Sequence, residues 1–133
     1  MKKILSIIFV LLLVITLSSC DKYSSSLETI GLVRIQTSHG FETSFDAIKD
    51  GQLVFKKQKT DKGEGAIHYS INVEKGELKL YYDIYGIKEE LAHVKAGESI
   101  DELGGYVEGG RTVYIIIEVV ADTRCKVIVE LDN

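Results

Sequence analysis

The sequence predicts an all-β fold: a single antiparallel β-sandwich of about eight or nine short strands. Three observations carry this. From Thr29 onward Val, Ile and Tyr alternate with polar residues at period two, and Gly, Asn and Asp punctuate the alternation at short, regular intervals. Only two stretches, "FDAIKD" and "ESIDEL", have room for a helical turn, and neither is long enough to be a stable helix by itself. A small barrel is the alternative way to close the same strands.

Taken in order, Ile30–Gln36 and Phe41–Ile48 flank the turn residues Ser38-His39-Gly40, and Leu53–Lys59 follows the Asp50-Gly51 break. Ala66–Val73 and Glu77–Tyr85 are the most regular alternators. Glu90–Val94 and Gly105–Glu108 are shorter, and Thr112–Ala121 and Cys125–Leu131 are the richest in β-branched residues.

Local pairing is expected at two places. Ile67, Tyr69, Ile71 and Val73 share one face of a strand, and Leu78, Leu80, Tyr82 and Ile84 share one face of the next. A tight hairpin turn at Lys75-Gly76 would put both sets on one side by pairing Val73 with Leu78 and Tyr69 with Tyr82, leaving His68 opposite Asp83 on the polar face. Near the C-terminus, Val113, Ile115, Ile117 and Val119 match Cys125, Val127, Val129 and Leu131, so a loop at Asp122-Thr123-Arg124 would keep one face apolar. Cys125 then points inward and behaves as a small hydrophobe with a raised pKa.

The N-terminus has a different character. "MKK" is followed by Ile4 to Leu17, fourteen residues without a charge. A bilayer-spanning helix needs about 20 apolar residues, whereas a signal-peptide core needs about 7–15. Leu17, Ser18 and Ser19 then lead into Cys20, an arrangement that resembles the lipobox of bacterial lipoproteins. The resemblance implies removal of residues 1–19 and acylation of Cys20, which anchors the protein to the cell membrane on its extracytoplasmic side. Residues 20–28 then form the lipidated cysteine and a short linker of about 15 Å reach, and residues 29–133 form the sandwich domain. Without Lys2 and Lys3 the chain has 14 basic and 20 acidic residues, a net charge of −6. An exported acidic domain does not suit nucleic acid, which requires a basic footprint.

Catalytic and metal signatures are weak. Ser38 and His39 are neighbours on the chain, but no G-x-S-x-G elbow accompanies them. His39, His68 and His93 are too widely spaced for a zinc motif, and neither Glu89-Glu90 nor Asp101-Glu102 fixes the separation a glycosidase needs. No catalytic residue, cofactor or metal is therefore assigned.

Surface candidates fall into two groups. Lys56, Lys57, Lys59 and Lys62 crowd seven positions and suit either an edge strand guarded against aggregation or contact with anionic headgroups. Tyr81 and Tyr85 lie outward on their strand, while Tyr114, Ile116 and Ile128 make the outer face of the C-terminal strands unusually apolar. That face is either covered by another segment or free as a contact surface for a partner.

"VEKGELKLYY" and "GGRTVYIIIEVV" give the latter half a rhythm that resembles small jelly-roll or immunoglobulin-like modules of bacterial exported proteins. The resemblance implies binding or support without catalysis. The sequence thus points to a membrane-anchored, non-enzymatic module for an envelope protein or polymer. A small envelope hydrolase or a metal-handling lipoprotein is the alternative.

Overall fold

Each alternating segment forms a strand. The computed structural model describes residues 22–59 and 63–131 and contains β1 (Thr29–Gln36), β2 (Gly40–Ala47), β3 (Gly51–Gln58), β4 (Gly65–Lys75), β5 (Glu77–Asp83), β6 (Lys88–Lys95), β7 (Ser99–Val107), β8 (Thr112–Val119) and β9 (Arg124–Leu131). Among the described residues there is no helix, and "ESIDEL" is the greater part of β7 and the residue before it.

The strands form two antiparallel sheets, ordered β1-β2-β9-β4-β7 and β3-β8-β5-β6. Four pairings, β2 with β9, β3 with β8, β4 with β7 and β5 with β6, describe one long hairpin rolled into two layers. This is a jelly-roll arrangement, and β1 extends one sheet beyond it. The midpoint of the roll is the β5–β6 turn, Ile84 to Ile87.

Both expected hairpins are corrected by this topology. β4 pairs with β7 and β9, whereas β5 pairs with β6 and β8, so the chain changes sheet at Gly76. β8 and β9 likewise lie in opposite sheets. The apolar sets do face inward, as their alternation predicts: Ile67, Tyr69, Ile71, Val73, Leu78, Leu80 and Tyr82 are all buried. They meet across the sandwich instead of side by side. Alternation dictates which face is wet, and a corner between sheets satisfies it as well as a hairpin does. His68 therefore does not face Asp83; its Nε2 contacts Asp101 on β7.

Two corners hold the roll. Gly76 has φ of +80°, and a Cβ there would lie 2.2 Å from Thr123 Oγ1. Thr123 is fully buried: its hydroxyl bonds the backbone of Glu77, and its carbonyl accepts the Ala47 N–H at 2.8 Å. The β8–β9 crossover is thus tied to β2 and β5 together. Between the layers Phe41 and Phe55 stack, with Arg34 over the Phe55 ring at the open edge. Cys125 is buried as expected, and burial pushes its thiol up to about 12.

Residues 22–28 are not a loose tether. Ser26 N–H donates to the Gln52 carbonyl at 2.9 Å, and Val54 N–H donates to Ser25 Oγ at 2.9 Å, so the segment lies along the free edge of β3. Leu27 packs against the core. The strap then crosses the outer face of the sheet, setting Tyr23 against Tyr114 at 5.5 Å between ring centres and ending with Lys22 on Asp83.

Candidate functional site

The turn at the midpoint of the roll carries the candidate site. Here Tyr82, Ile84, Tyr85, Ile87, Glu89 and Tyr106 line a cleft of about 220 Å³ at one end of the sandwich. Tyr85, Ile87 and Tyr106 are 53%, 67% and 43% exposed, so this rim presents apolar surface.

The rings are held by their hydroxyls. Tyr85 donates to Glu108 Oε2 at 2.6 Å, and Tyr82 donates to Glu89 Oε2 at 2.7 Å while accepting the Tyr106 N–H at 3.3 Å. A hydrogen bond to Glu64 pushes the Tyr106 phenol up to about 12. The Glu108 bond likewise raises the Tyr85 pKa, whereas for Tyr82 burial comes first and Glu89 second. Arg111 lies 5.3 Å over the Tyr85 ring and 3.6 Å from Glu108. The edges of Tyr82 and Tyr85 are fixed to carboxylates, leaving aromatic faces and acceptor oxygens as the chemistry on offer.

The local sequence explains how β7 reaches this rim. Gly104 and Gly105 precede Tyr106, and Gly105 has φ of +72°. A Cβ at Gly105 would lie 3.1 Å from Tyr82 Cζ, so glycine lets the backbone pass over that ring.

Beside the cleft the strap meets a buried acid. Asp83 is 2% exposed and accepts from Lys22 Nζ at 2.7 Å, Tyr23 hydroxyl at 2.6 Å and Gly86 N–H at 2.7 Å. Burial raises its pKa, but these donors outweigh burial and hold it below the ordinary aspartate value. One carboxylate therefore joins the strap to the cleft turn.

The five candidate contact residues separate. Tyr85 is in the cleft. Tyr81 lies half-buried on the outer face beneath Lys88, whose ammonium is 4.2 Å from the ring centre, and Tyr114 is covered by Tyr23 and Lys56. Ile116, paired between Val54 and Tyr81, is fully buried on that face, so it is not a free contact residue. Ile128 is half-buried on the outer face of the other sheet.

The lysines separate too. Lys56 is exposed, Lys57 bonds Gln36 Oε1 and the Thr37 carbonyl, and Lys59 is 2% exposed and faces no surface. Lys62 and Cys20 lie outside the described residues. Sequence reasoning missed Tyr106, Ile87, Glu108 and Arg111. "GGYVEGG" held the one available signal: glycines on both sides of a tyrosine.

Among the described residues no group of three or more His, Cys, Asp or Glu side chains is placed to hold a metal ion. His93 Nε2 contacts Glu77, and each remains a simple pair.

No protein-family model and no curated protein matches the chain. Among solved structures it is similar to a mutant family 29 carbohydrate-binding module complexed with mannohexaose, at 11% identity and a TM-score of 0.47 over 80% of each chain. A complex of TmCBM61 with β-1,4-galactotriose gives 11% identity and 0.46 over 85% of this chain and 88% of that one. The Drosophila melanogaster CENP-C cupin domain gives 15% and 0.31 over 77% and 71%. What those proteins bind is a property of theirs; the site chemistry of this chain rests on its own residues.

Proposed function

We propose that the protein is a membrane-anchored, non-catalytic binding module whose tyrosine cleft takes a saccharide segment of an extracytoplasmic polymer. The observation that carries this reading is the pair of exposed rings at one rim, Tyr85 held by Glu108 and Tyr106 on β7 beside Tyr82. A sugar ring presents C–H groups to an aromatic face and hydroxyls to carboxylate oxygens, and this rim offers both. The cleft is smaller than the roughly 300 Å³ at which enclosed small-molecule sites begin, which suits a segment of a longer chain lying across it. Anchoring follows from Cys20 through the lipobox resemblance.

Isothermal titration against polysaccharide extracted from the cell envelope tests the binding reading. Tyr85→Ala and Tyr106→Ala are each expected to weaken binding by about 1–2 kcal/mol, near tenfold, with Tyr81→Ala unchanged. Equal affinity in all three variants, or turnover of the polymer by the purified protein, overturns it. Anchoring is tested separately by fractionating cells: Cys20→Ser is expected to leave the membrane and Cys125→Ser to stay.

A further inference from the structure

The two sheets have four edge strands, and three of them are guarded against further pairing. The strap lies along β3, β6 carries Lys88, Glu89, Glu90 and Lys95, and β7 carries Asp101 and Glu102 ahead of Gly105 with its positive φ. Past the bulge at Gly31, β1 has none of these guards. Every residue from Ile30 to Gln36 is exposed, with Ile30, Leu32, Val33 and Ile35 at 64%, 44%, 49% and 52%. The one charge on the strand, Arg34, is turned in over the Phe55 ring, 4.4 Å from its centre.

The hydrogen bonds fix which backbone groups face the open edge. Thr37 N–H donates to the Gly40 carbonyl at 3.0 Å, which makes these two a bonded pair, and Ile35 is opposite Glu42 and Val33 opposite Ser44 in the same register. Bonded pairs alternate along an antiparallel ladder, so Val33, Ile35 and Thr37 turn their amides and carbonyls to β2. Arg34 and Gln36 turn theirs outward.

From this edge we infer that β1 pairs with β1 of a second copy, antiparallel and two-fold symmetric, joining two five-stranded sheets into one. The outward groups select the register. Arg34 opposite its own copy would set two guanidinium groups face to face and push the remaining pairs onto the bulge. Arg34 opposite the partner's Gln36 satisfies both residues on both chains and places Ile35 against its own copy on the axis. Charge favours a second copy along this strip. The domain is acidic, but β1 has no carboxylate, and the nearest acids on β2, Glu42 and Asp46, are bonded to Lys126 at 3.1 Å and Arg124 at 2.7 Å. β7, which bears Tyr106, is the opposite edge of the same sheet, so pairing leaves both clefts open. One strand edge buries less than the roughly 1,200 Å² of a self-sufficient interface, so the dimer is weak in dilute solution and fills as local concentration rises.

Crosslinking of the full-length protein, concentrated in detergent, tests the pairing whether or not the anchor is present. Positions 35 of the two copies form a non-bonded pair with Cα atoms about 4.5 Å apart, within disulfide reach. Positions 33 are about 14 Å apart in the same register. With copper phenanthroline as oxidant, Ile35→Cys is expected to give a covalent dimer at least about tenfold faster than Val33→Cys, above the background of the parent protein, whose Cys125 is buried. In sedimentation equilibrium, Ile35→Lys is expected to weaken self-association at least about tenfold and to leave the thermal midpoint within a few degrees, because the side chain it replaces is exposed. Equal crosslinking at positions 33 and 35, no crosslink at position 35, or self-association indifferent to Ile35→Lys overturns the inference. So does a crosslink from position 35 in intact membranes that joins only a different protein.

Discussion

At the scale of single residues, Asp83 does the most with the least surface. It collects a strap ammonium, a strap phenol and a turn amide, and these donors overcome the cost of burying a carboxylate. Its pKa is therefore lower folded than unfolded. The stability it contributes is complete above the unfolded value, about pH 4, and is lost as pH falls through the lower folded value. Asp83→Asn is expected to cost about 1–3 kcal/mol at pH 7 and to flatten the loss that the parent protein shows below about pH 4. Urea unfolding at pH 7, 4 and 2 measures both, and parallel profiles for the two proteins would remove Asp83 from this role. None of this was legible beforehand. Its alternation puts Asp83 on a polar face, and only the strap, a segment of serines and one tyrosine that reads as linker, turns that face into an interior.

At the scale of elements, the corners decide between pairings that alternation leaves equal. Every strand was legible, as were the buried faces of β4, β5, β8 and β9, because burial of one face repeats every second residue. Partners were not legible, since a sharp turn and a change of sheet both call for a glycine at position 76. What distinguishes them is distant: Thr123, 47 residues on, fills the space beside Gly76. Two alanine substitutions isolate this contact. Gly97 has φ of +85° with nothing within 4 Å of a new Cβ, so Gly97→Ala is expected to cost only backbone strain, about 1 kcal/mol. Gly76→Ala adds a collision with the Thr123 side chain and its Cα, 2.7 Å away, and is expected to cost about 3 kcal/mol or more. Denaturant midpoints of the two variants check the difference; equal costs would mean that the β8–β9 crossover gives way freely and does not hold the corner. The cleft shows the same limit of local reading. Tyr85 is legible because it ends a stretch of good alternation, although it lies in the turn after β5, but Tyr106, on β7 and 21 residues later, joins it only when the roll closes.

At the scale of the whole molecule, the strap is part of the fold, and this reverses what a flexible linker would imply. β3 is an edge of its sheet, with backbone groups at Gln52 and Val54 that need partners; Ser25 and Ser26 supply them, while the Ser24 carbonyl accepts from the Gln52 side-chain amide. The same residues bring Leu27 to the core and carry Tyr23 against Tyr114 on the outer face. Deleting residues 22–26 therefore uncovers an apolar strip and an edge together, with an expected loss of about 2–5 kcal/mol out of a total in the usual range of about 5–15. Inserting glycine and serine residues between Asp21 and Lys22 leaves all of these contacts in place and is expected to leave the thermal midpoint unchanged. Hydrogen exchange at the Val54 amide, which donates to Ser25, distinguishes the two changes residue by residue: fast after the deletion, slow after the insertion. The insertion has its own expected consequence. It lengthens the segment ahead of the strap without loosening the domain, so polysaccharide affinity should stay constant. A deletion that unfolds no sooner than the parent protein would return the strap to the status of a tether.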